Sequence, residues 1–287
     1  MSKAQRTKEQ SARARIAAQQ EEQRRKDQRR RMLAIGGVGL ALLAVIAIII
    51  VALVNRSSPA RTAAGPSGLP AGVQAKLTVP QPALATVGIG TASTQALKAV
   101  TGPALASSGK PEMLYIGAEW CPYCAAERWA MAVALSRFGS FTPMRGVHSS
   151  PADVYPNTAT LTFYGSTYTS NYLVFTPVEN QDVNRNPLQT PTAAQKALWA
   201  KYEPPGNSYP FIDIGNKFVA STTYNPQVLQ GLSWNQIATD LHNPSSPVAQ
   251  GVLGSANLLT AAICRATGNA PAGVCGAAPI PAIESRL

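Results

Sequence analysis

Charge is scarce in this chain. Asp, Glu, Lys and Arg together make up 14% of 287 residues, against 45% hydrophobic residues. So little charge excludes a solvated helical rod or a coiled coil, and so much apolar content excludes a disordered chain. Histidine is scarcer still: His148 and His242 stand alone and form no ligand pair of the kind zinc needs. Cysteine is limited to Cys121, Cys124, Cys264 and Cys275. No internal repeat is visible. The formal net charge of +11 suggests a nucleic-acid partner until it is located. Residues 1–31 hold 11 basic and 4 acidic side chains, whereas 62–287 hold 12 and 10. A nucleic-acid-binding domain carries its excess on the folded part, so no nucleic acid is expected.

One long run without any charge is present. Met32 to Val54, 23 residues, reads MLAIGGVGLALLAVIAIIIVALV. At a rise of ~1.5 Å per residue it reaches roughly 35 Å, enough to cross a ~30 Å hydrocarbon core. Arg24, Arg25, Lys26, Arg29, Arg30 and Arg31 abut its start, and only Arg56 and Arg61 follow its end. The positive-inside rule then predicts a single-pass cell-membrane protein with residues 1–31 in the cytoplasm and the C-terminal domain outside. A cleaved signal peptide is the rival, with Thr62-Ala63-Ala64 as a small-residue site, but its apolar region should span only 7–15 residues. Residues 55–82 contain five prolines and three glycines and read as a linker. The domain is expected from 83 to 287.

Within it, Met113-Leu114-Tyr115-Ile116 reads as a buried strand. Trp120-Cys121-Pro122-Tyr123-Cys124 follows, and then a helix from Ala125 to Phe138 stopped by Gly139. Phe141 to Val147 reads as a second strand, parallel to the first through a right-handed crossover. Runs 160–164 and 171–175 suggest further strands. Thr190-Pro191 predicts a helix through Tyr202. Two alternating strands around Gly215-Asn216 predict a hairpin, 211–220. Ser233 and Ser246-Pro247 predict two capped helices, the second carrying Val248, Val252, Ala256, Leu259 and Ile263 on one face and ending at Gly268. Gly251 and Gly254 weigh against it at about 1 kcal/mol each.

The CxxC pair has three readings. Zinc lacks a second ligand pair, and no metal or other cofactor is expected. A static disulfide would stiffen the helix start. In the redox reading, the helix N-terminus stabilises a thiolate on Cys121, the nucleophile, and Cys124 resolves the mixed disulfide. Trp120, Pro122 and Tyr123 would border the thiols as substrate-binding residues, Trp120 in part exposed. Glu119 and Glu127 flank the motif and are expected as solvated charges, the alternative being that they move protons for the thiols, and His148 is expected in a surface loop. Cys264 and Cys275, joined by a loop with Gly268, Asn269, Pro271 and Gly273, are expected as a structural disulfide.

The strand, Cys-Pro-Tyr-Cys, helix and later X-Pro before a hairpin resemble the thioredoxin fold, with the glutaredoxin type of active-site sequence. The run Gly109–Trp129, the segment Asp153-Val154-Tyr155-Pro156-Asn157-Thr158 and the tail Thr260–Cys264 are similar to a more particular group. That group is the membrane-anchored thioredoxin-like family catalogued as domain of unknown function 929, over roughly Lys110 to Cys275. The resemblance implies a three-layer α/β thioredoxin-like fold with a β-rich insertion and an extra C-terminal helix. It also implies a cis Tyr209–Pro210 bond beside Cys121, with Tyr209 and Pro210 binding substrate backbone. One departure stands out: many thioredoxins carry a buried carboxylate six positions before the nucleophile, and here that position is Tyr115. The function expected is a membrane-tethered thiol–disulfide oxidoreductase acting on exported thiol or disulfide proteins, with a membrane redox partner. The alternative is a redox-inert interaction module that binds an envelope partner.

Overall fold

The computed structural model describes residues 66–203 and 208–287, all within the unit Thr62–Leu287. The basic segment 1–31, the expected span 32–54 and residues 55–65 lie outside the described residues. Those described form a mixed α/β fold with several sheets, eleven strands and seven α-helices.

Strand β4 (Lys110–Gly117) is central. Met113 to Ile116 are all fully buried. One edge of β4 pairs antiparallel with β10 (Phe211–Ile214), which pairs with β11 (Phe218–Ala220), which pairs with β2 (Leu97–Ala99). The other edge pairs parallel with β9 (Val174–Glu179). Strand β3 (Ala106–Ser107) joins the first residues of β4. Side chains alternate across this sheet with the strand period of two. Met113, Tyr115, Ile212 and Ile214 face a core shared with helices α2 (Pro122–Ser136) and α5 (Pro247–Thr267). Leu114, Ile116, Phe211 and Val219 face the opposite way, with Val178 of β9, onto Trp199 of α3 (Ala193–Tyr202). Burial on both faces is why β4 reads as a continuous apolar run rather than an alternating one.

Helix α5 carries the signals expected of it. Ser246 Oγ accepts the Ala249 N–H at 2.9 Å, Pro247 opens the helix, and Gly268 closes it in the left-handed region at φ 65°. Its two awkward glycines have a packing reason. A Cβ on Gly251 would sit 2.7 Å from the Tyr224 ring, and one on Gly254 would overlap the carbonyl of Ile89. With 21 residues and mean hydropathy 1.3, α5 is the one helix among the described residues long and apolar enough to cross a membrane. It is buried inside the fold, so its apolarity serves the core.

Several expectations are corrected. The strand parallel to β4 is β9, not 141–147. The chain between α2 and β9 builds an insertion instead. There β5 (Gly139–Phe141) pairs with β8 (Tyr168–Ser170), and β6 (Arg145–His148) pairs with β7 (Ala159–Thr162). Helix α3 starts at Ala193, because Thr192 and Gln195 form the capping box. The linker expected through residue 82 gives way to folded chain over 66–82. Strand β1 (Ser67–Gly68) pairs with β6, helix α1 (Gln81–Val87) begins at its end, and Val73, Leu77 and Val79 are buried in the main core. Prolines there break local patterning, yet three apolar side chains spaced along 73–79 suffice to dock the segment. The remaining helices are α4 (Trp234–Asp240), capped by Ser233, and the short α6 (Ala272–Cys275) and α7 (Ile280–Glu284).

Candidate functional site

The turn Ala118–Trp120 carries the chain from the end of β4 into α2. Cys121 is the N-cap of that helix. Its sulfur accepts the backbone N–H of Cys124 at 3.2 Å, and Pro122 at N1 has no N–H to leave unpaired. Cys121 is 3% exposed and Cys124 fully buried, both as free thiols packed with Ala118 and flanked by Trp120 and Tyr209. Across from them the Tyr209–Pro210 bond is cis, and the Tyr209 carbonyl lies 4.0 Å from the Cys121 sulfur. The two cysteines are electrostatically unlike. The hydrogen bond from the Cys124 thiol holds Cys121 below the usual thiol range, against the upward push of burial; backbone N–H groups and Arg128 add to the lowering. Burial pushes the Cys124 thiol well up, and the neighbouring Cys121 sulfur reinforces it.

An aromatic rim surrounds the pair. Trp120, half-buried, donates its indole N–H to Gln181 at 2.9 Å and meets Tyr209 edge-on at 6.0 Å. The Arg185 guanidinium stacks 3.5 Å over the Trp120 ring and reaches Asp153 at 3.6 Å. Tyr123, 41% exposed, meets Tyr155 edge-on at 6.0 Å. The segment 153–158 thus lies beside the thiols, held there by Ser150, whose N–H donates to the Trp120 carbonyl at 2.8 Å. The Tyr209 hydroxyl accepts from the Asn180 side-chain amide, and its ring packs on Trp199 at 5.2 Å.

Beneath the rim the expected solvated acids are corrected. Glu119 and Glu127 are both fully buried. Glu127 lies between α2 and α5, bonded by the Thr223 N–H at 3.0 Å and by Ser255 Oγ at 3.0 Å. No cation among the described residues is paired with it, and burial pushes its carboxyl from 4.5 to about 7. Glu119 accepts from Thr162 Oγ1 at 2.6 Å, and its other oxygen has no partner among the described residues. Residue types beside a helix start favour solvent by base rate; the insertion, which supplies Thr162, covers this start instead.

Arg128, one helical turn after Cys124, has no role that its local sequence assigns. It is fully buried and paired with Glu179 of β9 at 3.0 Å. Its guanidinium also donates to the Tyr115 hydroxyl and the Ala118 carbonyl, each at 3.2 Å, and to the Glu119 carbonyl at 3.4 Å. Burial opposes its charge most strongly, but Glu179 together with the neighbouring Tyr115, Cys124 and Glu119 outweighs burial and the guanidinium stays protonated. Tyr115 itself folds along its own strand, so its hydroxyl occupies the space a side chain at Gly117 would need. His148 is not in a loop: it ends β6, its ring lies 4.3 Å from that of Trp234, and burial lowers its pKa below 6.5.

Away from the thiols, Cys264 at the end of α5 and Cys275 of α6 are disulfide-bonded, with Cα atoms 5.6 Å apart. Among the described residues no group of three or more His, Cys, Asp or Glu side chains is arranged to hold a metal ion.

Comparison with curated proteins and with solved structures returned no match. A family model described as Domain of unknown function (DUF929) matches residues 97–265, the stretch that runs from β2 through both thiols and the hairpin to the end of α5. The chain belongs to the DUF929 family.

Proposed function

We propose that this protein is a membrane-tethered thiol–disulfide oxidoreductase with a thioredoxin-like domain, acting outside the cytoplasm on cysteines of exported proteins. One observation carries the reading. Cys121 caps a helix N-terminus with its sulfur on a backbone N–H, and a backbone carbonyl, that of Tyr209, faces the same sulfur. A helix start favours the thiolate. The unlike environments of the two sulfurs suit a division of labour, with Cys121 attacking and Cys124 resolving. The order of elements also supports the fold reading: a strand leading into CxxC and a helix, a parallel strand, then an X-Pro before an antiparallel hairpin and a long helix. Tyr209 and Pro210, with Trp120, Pro122 and Tyr123, would line the path of a docked peptide. The span 32–54 and its basic flank support the tether and its orientation.

The burial of both sulfurs favours the redox-inert interaction module instead. The two readings separate by trapping. With Cys124→Ala, a mixed disulfide at Cys121 should accumulate on exported proteins and disappear on adding reductant. If Cys121 captures nothing and resists alkylation at pH 5 after reduction, the enzyme reading fails.

A further inference from the structure

Resting on the redox reading above, we propose that Arg128 is the positioning residue that makes the Cys121–Cys124 pair an oxidant, a donor of its disulfide to substrate dithiols. The position six before Cys121 holds Tyr115, and the buried ion pair behind the thiols is Arg128 with Glu179. Arg128 reaches the thiol cluster directly. It donates to the carbonyl of Ala118, the residue that packs on both cysteines and accepts the Cys121 N–H at 3.2 Å. Its counter-ion, Glu179, belongs to β9 and is bound by the same nitrogen, Nη1, that donates to Ala118 and Tyr115. Of the pair, it is Arg128 that is hydrogen-bonded to the Ala118 carbonyl bordering the thiols. Glu119 and Tyr115 complete the charged and titratable groups around it, and Arg128 meets Glu119 through its backbone carbonyl. Consistent with this placement, Arg128 favours the charged form of each cysteine.

The consequence follows from which redox state carries charge. In the disulfide neither sulfur is charged, and the cation contributes nothing to it. In the dithiol state Cys121 has a proton to lose, and a cation in a low-dielectric site stabilises the thiolate that results. Stabilising only the reduced state makes the disulfide a stronger oxidant. In the reaction, a substrate thiolate attacks the Cys121 sulfur. The Cys121–Cys124 bond breaks, and Cys124 leaves with the electron pair and takes a proton from water. A second substrate thiolate attacks the substrate sulfur of the mixed disulfide, and Cys121 leaves as a thiolate. The substrate loses two electrons and gains a disulfide; the protein's disulfide, the oxidant, becomes the dithiol. An external disulfide restores it, and oxidised glutathione serves in the test.

The experiment equilibrates the full chain with graded ratios of reduced to oxidised glutathione. Acid quenching, alkylation and peptide-resolved mass spectrometry then read Cys121 and Cys124. Glu179→Gln leaves the cation unopposed and should shift the equilibrium toward the dithiol at least tenfold, about 30 mV. Arg128→Met with Glu179→Gln removes the pair together and should shift it at least tenfold the other way, while raising the pH at which Cys121 is alkylated. Arg128→Lys in place of Met should recover part of that loss. A packing role alone would move both variants in the same direction or in neither. Shifts of the same sign, or within threefold of the wild type, overturn the proposal. Should the double variant fail to fold, the sign of Glu179→Gln against the wild type decides it. A wild-type pair that never exchanges with glutathione overturns the redox reading itself, a different outcome from an exchanging pair whose equilibrium Arg128 does not move.

Discussion

Replacing Glu127 by Gln should stabilise the protein, and by an amount that depends on pH. The carboxyl is fully buried between α2 and α5, hydrogen-bonded to Thr223 and Ser255 but paired with no cation among the described residues, and burial lifts it from 4.5 to about 7. A folded-state value above the unfolded one means the folded chain binds more protons between the two. Stability is then fully present below about pH 4.5 and falls as pH rises toward 7. At roughly 1.36 kcal/mol per pKa unit, the loss above pH 7 is about 3 kcal/mol. Glutamine mimics the protonated acid and keeps a carbonyl oxygen for the Thr223 N–H. Denaturant titrations of wild type and Glu127→Gln, followed by tryptophan fluorescence, should coincide near pH 4. By pH 8 they should separate by about 3 kcal/mol in favour of the variant. Asp213 and Glu179, also raised by burial, titrate in both proteins and cancel from the difference. A gap that stays constant across this range, or a variant less stable at pH 8, would refute the reasoning.

Other outcomes are expected. Cys264→Ala with Cys275→Ala should lower stability by about 3 kcal/mol in the chain-entropy model for a loop of this length, with thiol exchange at Cys121 unchanged; an unchanged denaturation midpoint would count against the bond. Gly254→Ala should destabilise by about 1–3 kcal/mol through overpacking against Ile89, despite alanine's better helix propensity; a stabilised variant would show that the segment around Ile89 yields. A reporter fused after Leu287 should be active only outside the cytoplasm, and cytoplasmic activity would sink the proposed location.

Local signals carried much of this fold into view. Ser233, Ser246-Pro247 and Gly268 mark helix ends because capping is settled within one turn, and Gly215-Asn216 marks the hairpin for the same reason. The strand before the thiols and the helix after them are legible from apolar content alone. What escaped depends on distant chain. The parallel partner of β4 begins at Val174, and nothing near Gly117 names it. The burial of Glu119 is supplied by Thr162, that of Glu127 by Thr223 and Ser255, and that of Arg128 by Glu179. Each polar side chain looks solvated until its partner, tens of residues away, is brought to it. The same holds for Val73, Leu77 and Val79, whose proline-rich surroundings resemble a linker until the core they dock on is in place.

Tyr115, Gly117 and Arg128 bear on how such chains vary through descent. The tyrosine hydroxyl fills the room above position 117 and accepts from the arginine. Any side chain at 117 requires the ring to leave, and a departed ring strips the arginine of one acceptor. The three positions therefore form one heritable unit. A lineage that acquires a carboxylate at 115 would be free to enlarge 117, and would place a second acid on a guanidinium already committed to Glu179.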